Sequence, residues 1–395
     1  MMEALKNLLV TCAFLPNLHK PNFFKTHIMT RLFAVSFIFC SVLFAACGSS
    51  KNAAGNSTRV LEAAALQPVG RTRLSGDKLE LISSAVHFSF RFTDTACDVY
   101  TALPQGLDHN YLQYELDGVY QKRIRVVQGN APLHISVPAG KHTITIYKAT
   151  EAQTGALFIQ KIAAKNLGAV APPAAPLIEF IGNSITCGAA ADPSETPCGT
   201  GEYHDQHNAY MAYGPRVARA LNVAFIMPSV SGIGIYRNWN SDGPTMPDVY
   251  EKTGLTVADK DQWNFKTYTP QVVSIALGTN DFSKGDGKKN RLPFDSATFV
   301  NHYIAFVNLV RSKYPNAQIA LLSSPMLHDS ARTLLQNCLT AVKTSVNAAQ
   351  PDKKQIALYF FEPMQAHGCG GHPSVEDHAI LAAELTPFFK TLLAR

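Results

Sequence analysis

Hydrophobic and polar positions divide this chain into two regions of different period. From residue 60 to about 165, apolar and polar side chains alternate in short runs: Ala85-Val86-His87-Phe88-Ser89-Phe90-Arg91-Phe92, Tyr111-Leu112-Gln113-Tyr114-Glu115-Leu116 and His142-Thr143-Ile144-Thr145-Ile146-Tyr147. A period of two is that of half-buried strands. Turn signals at Asp117-Gly118, Gly129-Asn130 and Pro138-Ala139-Gly140 separate the runs, so 60–168 is expected to be an all-β sandwich of jelly-roll type. Phe88, Phe90 and Phe92 share one face; they are assigned to its core rather than to a sugar-binding surface.

The pattern changes after the stiff segment Ala169 to Pro176. Strand candidates recur at 177–181, 223–227, 272–277, 319–322 and 356–361, with helical patterns at 209–221, 299–313, 331–348 and 375–393. This alternation predicts an α/β domain over 177–395, a flavodoxin-like parallel sheet with helices on both faces. A site would then form beyond the carboxyl ends of the strands. No internal repeat is visible.

Composition fits two folded domains: 395 residues, 46% hydrophobic and 16% charged. The formal charge is +6, of which residues 1–46 supply +3 through Lys6, Lys20, Lys25 and Arg31 against Glu3. The remaining +3 is too small and too scattered to point to nucleic acid.

Met29-Thr30-Arg31, the apolar run from Leu32 to Ala46 and then Cys47-Gly48-Ser49-Ser50 read as a signal peptide with a later start at Met29. The apolar span is short for a membrane crossing. Phe44-Ala45-Ala46-Cys47 resembles the bacterial lipobox, which makes Cys47 a lipidation candidate and 47–59 a tether; the alternative is an ordinary secretory leader. Both expect export, and the first expects a lipid anchor holding the protein to a membrane in the periplasm or at the cell surface. In such a compartment Cys187 with Cys198, and Cys338 with Cys369, are possible disulfides that leave Cys97 free, although spacing alone does not fix the connectivity. No C-x-x-C pair exists to suggest zinc or redox chemistry, and no metal or cofactor is expected.

The chemistry concentrates at strand ends. Ile178-Glu179-Phe180-Ile181-Gly182-Asn183-Ser184 reads as a buried strand stopping at a tight turn, where Ser184 would expose its hydroxyl beside free backbone N–H groups. Taken alone, Ser184 could equally cap the next helix, or the turn could cradle a phosphate. The second strand leads to Ser231-Gly232-Ile233-Gly234, where Gly232 could let a backbone N–H approach a ligand; the third leads to Gly278-Thr279-Asn280-Asp281, offering the Asn280 amide. His372, just before the last helix, is placed to reach back to Ser184. A serine needs such a base at neutral pH, and Ser184, Gly232 and Asn280 would supply three donors for an oxyanion hole.

In that order, these four residue types resemble the SGNH hydrolases, or GDSL-type esterases. Ser231-Gly232-Ile233-Gly234-Ile235 with Arg237-Asn238, Met246-Pro247-Asp248-Val249-Tyr250, Leu277-Gly278-Thr279-Asn280-Asp281-Phe282-Ser283 and His372-Pro373-Ser374 look more specifically like carbohydrate esterase family 2. That resemblance implies an N-terminal jelly roll joined to an SGNH domain, and an acetylesterase acting on xylan or glucomannan. Two positions depart from the pattern: Asn183 stands where Asp is usual, and Cys369 stands where an Asp usually supports the histidine. A Ser184 and His372 dyad is therefore expected, with His372 Nδ1 on a backbone carbonyl, and with Glu362, Glu376 and Asp377 as substitute carboxylates.

The long segment between the second and third strands carries Tyr236, Trp239, Trp263 and Tyr268. Trp239, Trp263 and Tyr236 are candidates for stacking on a sugar, against the alternative that they close the core. The expected partner is thus an acetylated polysaccharide or oligosaccharide. The rivals are an esterase for other acetylated glycans or small glycosides, and a carbohydrate-binding lipoprotein that has lost catalysis.

Overall fold

The computed structural model describes residues 57–394; the leader, Cys47 and most of the tether lie outside the described residues. Nine strands form the N-terminal sheet: β1 (Thr58–Glu62), β2 (Thr72–Ser75), β3 (Lys78–Leu81), β4 (His87–Ala102), β5 (His109–Leu116), β6 (Val119–Val127), β7 (Leu133–Lys148), β8 (Leu157–Lys165) and β9 (Gly168–Val170). All pair antiparallel, in the order β2-β3-β8-β4-β7-β5-β6, with β1 added to β8 and β9 to β4.

Period two predicts the faces correctly here: Phe88, Phe90 and Phe92 are buried in the core of this domain. Asp117-Gly118 is a hairpin turn between β5 and β6, both residues having positive φ (52° and 81°) as a primed turn needs. Pro138-Ala139-Gly140 is a correction, because it interrupts no strand. It lies inside β7, opposite the register shift between Asp94 and Ala96 in β4. Proline removes a ladder donor, and a bulge is where a sheet tolerates that loss. Ala169 and Val170, read from the sequence as linker, pair with Phe90 and Ser89 as part of β9.

The C-terminal sheet contains β10 (Leu177–Gly182), β11 (Ala224–Ile226), β12 (Val272–Ala276), β13 (Gln318–Leu322) and β14 (Ala357–Tyr359), all parallel in the order β11-β10-β12-β13-β14. Its helices are α1 (Ser184–Cys187), α2 (Tyr213–Leu221), α3 (Met246–Val249), α4 (Ser296–Lys313), α5 (Asp329–Ala349) and α6 (Val375–Leu393). The molecule therefore joins an antiparallel all-β domain to a parallel α/β domain, as the sequence pattern predicts. The helix expected from 209 begins at Tyr213, because Ala209–Met211 forms a separate 3-10 turn capped by the Asn208 side chain.

Neighbouring residues of β10 face opposite layers. Phe180 packs edge-on against Tyr213 and Phe389, in the cluster built from α2 and α6. Ile181 joins Phe299, Tyr303 and Leu335 in the cluster built from α4 and α5. Full burial of each such side chain is worth about 1.5–3 kcal/mol, so β10 is held in register from both sides. The strand order reverses on either side of β10, which places the crevice of this sheet at its carboxyl end.

The two domains form one compact unit. Tyr147 and Tyr210 both donate to the buried Glu115 carboxylate, at 3.0 and 2.5 Å, and Arg71 Nη1 donates to Lys252 O at 2.6 Å. Among the described residues no helix is long and apolar enough to cross a membrane.

Candidate active site

Where β10 ends, Gly182 is required for a steric reason: a Cβ there would lie 2.0 Å from Thr186 Oγ1. The chain turns at once into α1, with Asn183 as N-cap accepting the Ile185 N–H at 3.1 Å. An Asn oxygen caps as well as an Asp oxygen, so this departure from the family pattern leaves the turn intact. Ser184 is the first residue of α1, where its own N–H has no intrahelical acceptor. One short turn later, Gly188 ends the helix in the left-handed conformation (φ 69°).

The other strand-end loops are tied to this turn by hydrogen bonds. Val230 N–H donates to Gly182 O at 3.1 Å and Ser229 Oγ to Phe180 O at 3.0 Å, so the loop after β11 follows the end of β10. Asn280 Nδ2 donates to Ile233 O at 2.8 Å, binding the loop after β12 to the same segment. The Asp281 carboxylate accepts the N–H groups of Ile235, Tyr236 and Arg237 at 2.9–3.3 Å. Gly234 is required beside it, since a Cβ would lie 2.1 Å from Arg237 O and 2.5 Å from Asp281 Oδ2. Gly232 has φ 73°, and its carbonyl accepts the Trp239 N–H at 2.8 Å.

His372 completes the cluster. Its Nε2 lies 3.0 Å from Ser184 Oγ, and its Nδ1 lies 3.2 Å from Cys369 O. The same carbonyl accepts the His372 backbone N–H at 3.1 Å. Nδ1 facing a carbonyl must carry the proton, which leaves Nε2 as the acceptor toward Ser184. The three substitute carboxylates are engaged elsewhere: Glu362 pairs with Arg332, Glu376 accepts from Ser374 Oγ, and Asp377 accepts from Ser374 N–H and His367. Gly370 and Gly371 both have positive φ (59° and 74°), a backbone path that bends the Cys369 carbonyl under the ring.

Burial lowers the pKa of His372 below its ordinary 6.5; the carbonyl of Cys369 opposes this, His207 adds to it and Glu151 opposes it. The imidazole is the active base only when neutral, so the acid limb of kcat/KM is expected below pH 6.5. A pH profile on a small aryl acetate measures this, and a limb at or above pH 6.5 would contradict it.

Cys369 is also bonded to Cys198, a correction to both suggested disulfides. Cys187 is buried in α1 with its thiol toward Glu151, and Cys338 is buried on α5 against the sheet, so neither reaches its suggested partner; both are free, as is Cys97. The bridge pins the carbonyl that orients His372 to the loop following α1. Cys198→Ser should therefore lower stability by about 2–4 kcal/mol and lower kcat as well; thermal unfolding and kinetics with and without reductant measure both.

The aromatics separate. Trp239 is 48% exposed and lines an open groove of about 360 Å³ with Gly232, Ile233, Asn238 and Gln153. Tyr236 packs on Phe294 and Phe299 and borders an adjoining groove with Arg237 and Arg291. Trp263 stacks on Tyr268 under the Arg71 guanidinium, with Nε1 buried. It is held there by a cation from the β domain, away from the groove, and the sugar-platform expectation finds no support at that position.

Three neighbours of the site carry no local signal in the sequence. Tyr203 has its ring centroid 6.4 Å from that of His372, and its hydroxyl lies 3.4 Å from Ser231 Oγ. His207 and Glu151 lie beneath them, buried. His109, His204 and Asp205 have potential ligand atoms within 4.8 Å of one another. Those atoms already serve the domain contact: His109 bonds Asp205 at 2.5 Å while Arg125 approaches its other nitrogen at 3.0 Å.

Two family models match in succession: Carbohydrate esterase 2 N-terminal over residues 68–173 and the GDSL-like Lipase/Acylhydrolase family over residues 180–367. The chain belongs to the SGNH/GDSL hydrolases of carbohydrate esterase family 2 type. It is 30% identical over 334 residues to Cellulase/esterase CelE of Acetivibrio thermocellus, covering 81% of this chain but only 38% of that relative. It is 26% identical to an acetylxylan esterase / glucomannan deacetylase of Cellvibrio japonicus, over 92% of this chain and 99% of the relative. Among solved structures, a family two carbohydrate esterase from Clostridium thermocellum in complex with cellohexaose is 27% identical at a TM-score of 0.72, covering 85% of this family 2 chain and 99% of that one.

Proposed function

We propose that this chain is an exported carbohydrate O-acetylesterase that removes acetyl groups from hemicellulose such as xylan or glucomannan. The observation that carries the reading is the 3.0 Å approach of His372 Nε2 to Ser184 Oγ, with Nδ1 held on a carbonyl. His372 takes the Ser184 proton as Oγ attacks the acetyl carbonyl. The tetrahedral oxyanion is received by the N–H groups of Ser184 and Gly232 and by the Asn280 amide, which keeps a second N–H beyond the one spent on Ile233 O. The sugar alcohol then leaves with the proton from His372, and water, deprotonated by the same nitrogen, releases acetate from Ser184.

The carbohydrate class is supported by the named activities of the relatives and by the exposed Trp239 beside Gly232. The open groove suits a polymer better than a buried acyl chain. The leader and Cys47 support export and lipid anchoring. The absence of an Asp before His372 is what a lapsed binding protein would have in its favour; the Cys369 carbonyl on Nδ1 supports the catalytic reading instead, and no observation favours the rival. Acetate release from acetylated xylan and from a small aryl acetate, with Ser184→Ala as the blank, tests the reading. Release from both, with a higher kcat/KM on xylan, is expected; a well-folded wild type that releases none from either sinks it.

A further inference from the structure

The loop carrying the second block of the site is braced from the other domain. Between β7 and β8 the chain leaves the β domain and enters the α/β domain: Ala152 packs against the core cluster of Ile233 and Leu277, Ala149 O accepts the Ala209 N–H at 3.0 Å, and Gln153 lines the groove beside Gly232. Glu151 points from this loop toward the chemistry. It is 1% exposed, and its Oε2 accepts the Ser231 N–H at 2.6 Å and the Cys187 thiol at 3.5 Å. Its Oε1 lies 3.5 Å from His207 Nε2, whose ring accepts the Ala190 N–H at Nδ1 and so carries its proton on the side facing Glu151.

A buried carboxylate is costly to hold, and adhesion between the domains does not require one here, since Glu115 and Arg71 already join them. The loop is nevertheless fixed from behind by a second buried charge: Lys148 Nζ donates to Ile82 O and to Glu151 O, each at 2.9 Å. A charge-assisted bond to one chosen peptide N–H is what this arrangement provides. That N–H belongs to the residue before Gly232. On the far side of Gly232, the carbonyl is held by the Trp239 N–H at 2.8 Å. Glycine in the left-handed region turns easily, so the direction of its N–H is set by these two anchors.

We propose that Glu151 is a positioning residue of the active site, a carboxylate lent by the β domain that aims the Gly232 N–H at the oxyanion. The inference rests on the reading of Gly232 as an oxyanion donor. It makes the β domain part of the catalytic apparatus as well as a neighbour of it.

The test uses the full chain on a small aryl acetate, with active sites counted by a fluorophosphonate that labels Ser184. Glu151→Met keeps the length and removes the acceptor; Glu151→Gln keeps an amide oxygen for Ser231 but turns an NH2 toward the His207 N–H. The expected order of kcat per labelled site is wild type, then Gln lower by about threefold to tenfold, then Met lower by about thirtyfold or more, with KM moving less than about threefold. A merely structural role would reduce the labelled fraction and leave kcat per labelled site unchanged, which overturns the proposal. If Glu151→Met does not fold, Glu151→Gln decides alone: kcat per labelled site equal to wild type refutes the inference. Ser184→Ala, which takes no label and is assayed per mole of folded protein, separates the two levels, because its retaining activity would refute the underlying reading, whereas an inactive Ser184→Ala beside an unimpaired Glu151→Met refutes only the role of Glu151.

Discussion

Ser184→Ala and His372→Ala should each cut acetate release by about 10⁴-fold or more, with KM little changed and the fold intact. Ser184 supplies the atom that becomes acylated, and His372 handles the proton in both directions, so neither has a substitute within reach. The structural cost of Ser184→Ala is small, because the side-chain bond lost is the one to His372 Nε2. Circular dichroism and thermal unfolding of the variants should match the wild type. Activity of either variant within about tenfold of wild type would remove the dyad from the mechanism. Because a neutral carbonyl supports the imidazole, the imidazolium formed in the transition state has no adjacent carboxylate partner on Nδ1. The buried Glu151 is the carboxylate whose field favours that charged form, while His207 opposes it.

Asn280→Ala should lower kcat by about 10²–10³-fold, the usual loss for one oxyanion donor. The amide has two jobs in this fold: one N–H fixes Ile233 O, and the other is left for substrate. Asn280→Asp distinguishes them from a packing effect. It keeps the volume but replaces the donor with a carboxylate aimed at the developing negative charge. The expected order is therefore wild type, then Ala, then Asp, although Asp is the closer isostere. Steady-state kinetics on an aryl acetate read this directly, and an Asp variant more active than Ala would argue that Asn280 acts by packing.

Local stereochemistry made much of the α/β domain legible. The apolar run at 177–181 is β10 because it is buried on both faces, and 375–393 is α6 because its apolar residues recur at helical spacing behind the capping box of Ser374 and Asp377. Gly182 and Ser184 stand out for a local reason too: a glycine closing an apolar run, followed at once by residues that begin a helix, has few alternatives. The β domain was harder at Pro138-Ala139-Gly140, where residues that normally end a strand serve a bulge inside a long one.

By itself the sequence determined the two fold classes, their order along the chain and the four residue types at the strand ends, since each depends on periodicity or on the backbone needs of one short segment. The tertiary structure alone decided the contacts that residue types leave open. The disulfide joins cysteines 171 positions apart, in neither of the pairs the sequence suggests. A backbone carbonyl on Nδ1 is expected from the sequence, but that Cys369 supplies it is not, since every residue possesses such a group. Glu151 is one of many acidic residues until the β7–β8 loop is carried across the domain boundary, and Trp263 is a sugar platform or a core side chain according to whether Arg71 reaches it. Such contacts are set by where long loops come to rest, and that is a property of the packed whole rather than of any stretch of chain.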